Sequence, residues 1–211
     1  MPTITQRLAD LTQGLGTFAG IARVIVLLCV FAVLTAVLVN FLSAKQSTAV
    51  KTETRSVVET GSMLGFFVGF YCLIRFQIGV VSISTKPITV PLVCIGLVLL
   101  VVGTCVNILG RLELGGNWGN QVRIYNDHQM VTGGLYRYVR HPLYASLIWM
   151  FCGGALVFQN GLALAANLCV FLPAMVYRGR QEETALAARF PEYAEYTRQT
   201  GMFFPKLWTL K

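Results

Sequence analysis

Three stretches of the chain, Ile21–Leu42, Met63–Ile83 and Ile88–Leu109, run for 21 or 22 residues almost without charge. A hydrocarbon core about 30 Å thick asks for about 20 such residues in a helix. No water reaches backbone N–H and C=O groups there, so each run must satisfy its hydrogen bonds internally, as an α-helix. The first run starts 20 residues in and is too long for a signal-peptide core, so it reads as a retained span. Arg75 is the one charge well inside a run, either a functional intramembrane ion or a snorkelling side chain.

Two shorter apolar runs, Leu143–Phe158 and Leu162–Tyr177, are separated only by Gln159, Asn160 and Gly161. Pro142 sits where a first-turn proline is welcome, so the pair predicts a helical hairpin. Sixteen residues reach about 24 Å, so these helices must extend beyond their apolar parts or lie in a thinned region. Pro173 predicts a kink in the second. The fold expected is an all-α integral membrane protein of about five transmembrane helices, the last two a hairpin. Residues 1–211 form one domain: a surface segment over 1–20, three spans over 21–109, and a core over 110–211 containing the hairpin and a tail. Thr5–Gly14 reads as either an amphipathic surface helix or a disordered terminus, and Trp118 as an interfacial aromatic.

Apolar residues make up 55 % of the chain and charged ones 12 %, against a net charge of +8. The basic residues form no continuous soluble face, so anionic lipid headgroups are the expected counter-charge and nucleic acid is not a partner. With five spans, Arg7, Arg23 and Lys86 fall on one side. Lys45, Lys51, Arg55, Arg111, Arg123, Arg137, Arg140 and the six basic residues of the tail fall on the other. The positive-inside rule then makes loop 110–141 and the tail cytoplasmic and puts the N-terminus opposite. The six cysteines lie in apolar runs without a C-x-x-C pair, and there are two histidines, so no metal site is expected.

The loop closes on Gly134-Leu135-Tyr136-Arg137-Tyr138-Val139-Arg140-His141-Pro142-Leu143-Tyr144, and the tail opens with Arg178-Gly179-Arg180-Gln181-Glu182-Glu183. Taken singly these pieces say little. On spacing alone Arg137, Arg140, Arg178 and Arg180 are interfacial anchors, and Glu182-Glu183 is a solvated helix start. Glu182–Arg189 reads as a short helix ended by Phe190-Pro191. Together the pieces form G-x-Y-x-x-x-R-H-P-x-Y, a hairpin, then R-x-x-x-E-E and an aromatic tail of Phe190, Tyr193, Tyr196 and Phe204-Pro205. Over residues 114–208 this pattern resembles the isoprenylcysteine carboxyl methyltransferase family, and more distantly the phospholipid methyltransferases. The first three spans resemble that family in number and hydropathy only. Phe190-Pro191-Glu192-Tyr193 is one residue shorter than the F-G-x-E-Y common in the family, leaving the tail's register undetermined by sequence.

The resemblance implies a membrane methyltransferase using S-adenosylmethionine (SAM) and acting on a lipophilic acceptor from the bilayer. The acceptor named by the family is a prenylcysteine carboxylate, with a phospholipid amine or small thiol as the alternative. A sterol-reductase-like enzyme and a non-enzymatic scaffold are more distant readings. Carried over residue by residue, the resemblance assigns the cofactor to Gln121, His128, Gln129, Met130, Val131, Tyr136, His141, Pro142, Leu143, Tyr144 and Glu182. It assigns the acceptor to Arg178, the residue on which catalysis is expected to depend. The chemistry agrees, since SAM needs a cationic or hydrogen-bonding end for its carboxylate, an apolar slot for adenine and acceptors for its ribose hydroxyls. Arg140 and His141 at a helix N-terminus suit the first need, Tyr136 and Tyr144 the second and Glu182 the third. No Gly-x-Gly-x-x-Gly turn offers the soluble dinucleotide-fold alternative. An amine acceptor would need a base, for which Glu183 is the unassigned carboxylate.

Overall fold

The computed structural model describes residues 18–43, 50–53, 57–81, 86–115, 123–125 and 130–206. The expected N-terminal surface helix and Trp118 lie outside them. Among the described residues, five principal helices follow in order: α1 (Phe18–Ser43), α2 (Val57–Arg75), α3 (Lys86–Leu114), α4 (Pro142–Val157) and α5 (Gly161–Arg189), with a short α6 (Tyr193–Gln199) in the tail. Helices α1, α3 and α5 contain spans long and apolar enough to cross a membrane, whereas the apolar parts of α2 and α4 are shorter. One departure from an all-helical chain is a two-stranded antiparallel ladder, β1 (Val50–Glu53) on β2 (Arg123–Tyr125), between the segments that follow α1 and α3.

The tightest seam joins α3 to α4. Gly96, Gly103 and Gly110 recur every seven residues along one stripe of α3. A Cβ on Gly96 would stand 2.7 Å from the Gly153 carbonyl of α4, and one on Gly153 would stand 2.5 Å from the Gly96 carbonyl. The backbones therefore touch, and dispersion between close-packed helices replaces the hydrophobic force that lipid cannot supply. Polar side chains stitch the same seam nearer the loop. Ser146 donates to the Leu143 carbonyl (2.7 Å), Asn107 to Ser146 (2.8 Å) and Arg111 to Asn107 (2.9 Å). Ala22, Cys29 and Val33 of α1 pack with Val93 and Leu100 of α3 and with Met150 and Val157 of α4.

Helix α2 corrects the expected span Met63–Ile83. It begins earlier and ends at Arg75, where the chain turns through Gln77 (φ 57°) and Gly79 (φ 82°). Arg75 is thus an exposed cation in the last turn of a helix, where the dipole favours it. The turn is fixed from the hairpin: buried Asn160 donates to the carbonyls of Leu73 (3.1 Å) and Ile78 (3.0 Å), and its Oδ1 accepts from Ala163 N–H (2.8 Å). One amide caps the end of α2 and the start of α5 together. A cross-helix hydrogen bond in a bilayer is worth about 0.6 kcal/mol on average, but here one buried side chain serves three backbone groups at once. Asn160→Ala is expected to destabilise by about 2 kcal/mol, read as a shifted unfolding midpoint in mixed micelles.

The expected hairpin is present, with α5 extended past its apolar part to Arg189, so the separate helix expected at Glu182–Arg189 is the end of α5. Pro173 is accommodated by a wide (π) turn over Asn167–Phe171, immediately before it. The residues of α5 that are buried deepest, Ala163, Asn167, Phe171, Met175 and Gly179, recur every four residues. In a regular helix of 3.6 residues per turn that spacing drifts about 40° per step. The wide turn takes up much of the drift, keeping both ends of α5 facing the bundle. Between them, Phe66 and Phe70 of α2, Phe151 of α4 and Phe171 of α5 form an aromatic cluster with centroid separations of 4.7–6.1 Å.

Candidate active site

Where α3, α4 and α5 reach the loop side, a 3-10 turn at Gly134–Arg137 leads into α4, with Pro142 in its first turn. Glu113 of α3 holds this entry by accepting Leu135 N–H (2.8 Å). Residues 139 to 141 lie alongside the tail: Val139 bridges Gly201, Arg140 N–H donates to the Gly201 carbonyl (2.8 Å) and His141 N–H to that of Met202 (3.1 Å). Helix α5 arrives with Arg178 and Glu182 one turn apart on the same face.

His141, 7 % exposed, lies between two carboxylates, with Nδ1 3.5 Å from Glu182 and Nε2 3.1 Å from Glu183. Its ring stacks on Tyr144 at 5.5 Å. Tyr144 donates a short hydrogen bond to Glu182 Oε1 and accepts one from Arg178 Nε (2.8 Å), while that nitrogen lies 3.6 Å from Glu182. The four side chains make one network, with His141 and Arg178 buried and Tyr144 and Glu182 partly exposed. Both ring nitrogens of His141 face carboxylate, an arrangement that the doubly protonated ring satisfies. Burial opposes its charge, but the bonds to Glu182 and then Glu183 outweigh burial and raise its pKa. A raised pKa contributes stability that is fully present below the unfolded value of about 6.5 and is lost as pH rises through the folded value. Thermal melts in detergent are expected to show the wild type losing stability over that interval relative to His141→Gln, whose side chain does not titrate.

Arg140 departs from the expected cofactor role. Its Nε donates to Glu183 (2.7 Å) and its Nη1 to the carbonyls of Thr197 (3.3 Å) and Thr200, so it clamps the tail onto α5. Glu183, held by Arg140 and His141, is likewise part of this clamp. Tyr136 is buried at the flank, with its hydroxyl 3.4 Å from the Gly110 carbonyl and its own carbonyl accepting from Tyr196 (2.6 Å). Burial pushes its phenol well above the usual range, with Tyr196, Glu113 and Glu182 adding to the shift. Pro142 and Leu143 pack on Gly110. Pro142 also lines an apolar crevice of about 170 Å³ with Val106, Leu135, Tyr138, Trp149 and Pro205. Met130 and Val131 lead into the 3-10 turn, half-buried. Gln121, His128 and Gln129 lie outside the described residues.

Three features of the site escape sequence reading. Gly179, between the two arginines, is where the tail and the loop close on α5: a Cβ there would meet Met202 at 2.5 Å and His141 at 3.3 Å. Glu113 carries no local signature of its role. Asn107 and Arg111, four residues apart at the end of an apolar run, are the one signal that a polar stitch was present.

The sequence profile described as the isoprenylcysteine carboxyl methyltransferase family matches residues 94–188, from mid-α3 to the end of α5. This segment, somewhat under half of the chain, is what resembles the isoprenylcysteine carboxyl methyltransferase family. Among curated relatives, the protein-S-isoprenylcysteine O-methyltransferase of Saccharomyces cerevisiae is 30 % identical over 127 residues, 59 % of this chain and 52 % of that protein. The cobalt-zinc-cadmium resistance protein CzcN of Cupriavidus metallidurans is 38 % identical over 84 residues, 38 % of each. A solved eukaryotic intramembrane Ras methyltransferase, isoprenylcysteine carboxyl methyltransferase, superposes with a TM-score of 0.53 and 25 % identity, covering 75 % of this chain and 56 % of that one. The chain thus spans about half, or less, of these relatives. Helices α1 and α2 lie before the segment that carries the family pattern.

Proposed function

We propose that this chain is an integral membrane methyltransferase that transfers the methyl group of SAM to the carboxylate of a prenylcysteine-like lipid. The observation that carries this reading is the His141–Tyr144–Glu182–Arg178 network at the loop end of α4 and α5, inside the segment that matches the family. The residues fit the cofactor chemically. Glu182 keeps carboxylate lone pairs for ribose hydroxyls or an ammonium beyond those used by Tyr144 and His141. Tyr136 and the first turn of α4 supply apolar and aromatic walls. The wall role expected of Tyr144 is shared with its hydroxyl bond to Glu182. When bound, SAM supplies an electrophilic methyl on a sulfonium.

A carboxylate acceptor is already ionised near neutral pH and needs no general base. The protein's tasks are then to orient the acceptor and to exclude water. The charges support an anionic acceptor: Arg140, Arg178 and protonated His141 face Glu182 and Glu183, leaving the cluster one positive charge in excess. Arg178 is the member that presents a planar fork beside the aromatic cluster, so it is the residue to hold the acceptor. An amine acceptor is disfavoured because Glu183, its prospective base, is already bound by Arg140 and His141. The charge asymmetry of the flanking segments supports a cytoplasmic site with five helices crossing the bilayer. The test is incubation of the purified protein with methyl-labelled SAM and, separately, S-prenylcysteine acids, membrane phospholipids and small thiols. Label entering the prenylcysteine pool as a base-labile ester is expected, whereas label entering lipid amine or thiol instead would overturn the acceptor.

A further inference from the structure

Arg178 reaches beyond the family segment. Its Nη1 donates to the thioether of Met63 on α2 at 3.0 Å, while its Nε is engaged by Tyr144. The guanidinium, 8 % exposed, also lies 5.8 Å from the Tyr144 ring centroid. Thioether sulfur is a weak acceptor, the weakest among the Arg178 contacts described. A carboxylate in its place would make a charge-assisted bond roughly twice as strong as a neutral one. One turn further along α2, Phe66 stacks on Phe171 at 4.7 Å and meets Phe151 edge-on at 5.2 Å. Met63 therefore stands at the junction between the ionic network and an aromatic wall that continues along α2 through Phe67 and Phe70.

We propose that Met63 is a displaceable placeholder for the acceptor's carboxylate on Arg178, which makes α2 the wall of the site that selects the acceptor. The inference rests on the methyltransferase reading above. An unbranched thioether with three rotatable bonds covers the guanidinium when no acceptor is present and swings aside at small cost. The acceptor's apolar chain then lies along the aromatic face that Met63 caps. Selection follows from the same geometry: an acceptor whose head bonds Nη1 no better than sulfur does gains nothing by displacing it.

A built-in competitor tests this. In Met63→Glu the side chain places its own carboxylate beside Arg178. Equilibrium dialysis of a labelled S-prenylcysteine acid is expected to show at least tenfold weaker binding, with a matching rise in acceptor KM, while SAM affinity stays within threefold. Met63→Gln, whose neutral amide oxygen accepts better than sulfur, is expected to raise KM severalfold and provides the test if the charged variant fails to fold. Acceptor binding unchanged in a folded variant would overturn the inference while leaving the methyltransferase reading intact, and so would equal losses of acceptor and SAM affinity. A wild type that neither binds nor methylates prenylcysteine acids would overturn the functional reading, and the inference with it.

Discussion

Arg178→Ala is expected to lower turnover on a prenylcysteine acceptor by about 10²- to 10³-fold while SAM affinity changes no more than a few-fold. Truncating one partner of a buried, hydrogen-bonded charge pair costs about 2–5 kcal/mol, and each 1.4 kcal/mol is tenfold. The loss falls on the acceptor because Arg178 Nη1 reaches Met63 on α2, while its Nε is the atom that lies beside the Glu182 carboxylate assigned to the cofactor. Arg178→Lys is expected to recover part of the rate, since an ammonium keeps the charge but not the planar fork. Calorimetry with SAM, paired with turnover on the acceptor identified by labelling, separates the two effects. Loss of SAM binding in a folded Arg178→Ala protein would show that the roles are misassigned.

Glu182→Ala carries the complementary expectation: SAM binding weakened about ten- to a hundredfold, the 1.5–3 kcal/mol of a charge-assisted hydrogen bond. Glu182 also accepts the Tyr144 hydroxyl and faces His141, so its removal leaves His141 with Glu183 as its carboxylate. Part of the loss is therefore lost pre-organisation. Glu182→Gln, which keeps an acceptor oxygen for Tyr144, is expected to fall between alanine and wild type. Equilibrium dialysis with SAM reads both variants, and unaltered affinity in Glu182→Ala would remove Glu182 from the cofactor site.

Much of this arrangement was legible in the sequence where the signal is local. Pro142 and the Gln159-Asn160-Gly161 break marked both ends of α4, and the i, i+4 spacing of Arg178 and Glu182 put them on one face once α5 ran on into the tail. What stayed hidden is decided by partners distant in the chain. Phe76, Ile78, Val80 and Val81 continue the apolar run beyond Arg75, so hydropathy carries the second span to Ile83, whereas Asn160, more than 80 residues away, ends the helix by binding Leu73 and Ile78. Arg140 looked like an anion receptor beside a helix N-terminus. Two of its three partners are the carbonyls of Thr197 and Thr200, and backbone carbonyls leave no signature in a sequence.

The wide turn at Asn167–Phe171 sets a rule for insertions and deletions in α5. A π turn holds about one residue more than an α turn, so it acts as a one-residue insertion that the helix has absorbed without breaking. Deleting a single residue there would restore a regular helix with the faces on either side still in phase, whereas deleting one elsewhere between residues 161 and 178 would turn everything beyond it by about 100° relative to the membrane half. Arg178 and Glu182 would then leave the face that meets Tyr144 and His141, although neither residue had been altered. A helix one residue shorter and regular throughout would present the same faces, so sequence alignments across α5 should place their gaps between residues 167 and 171.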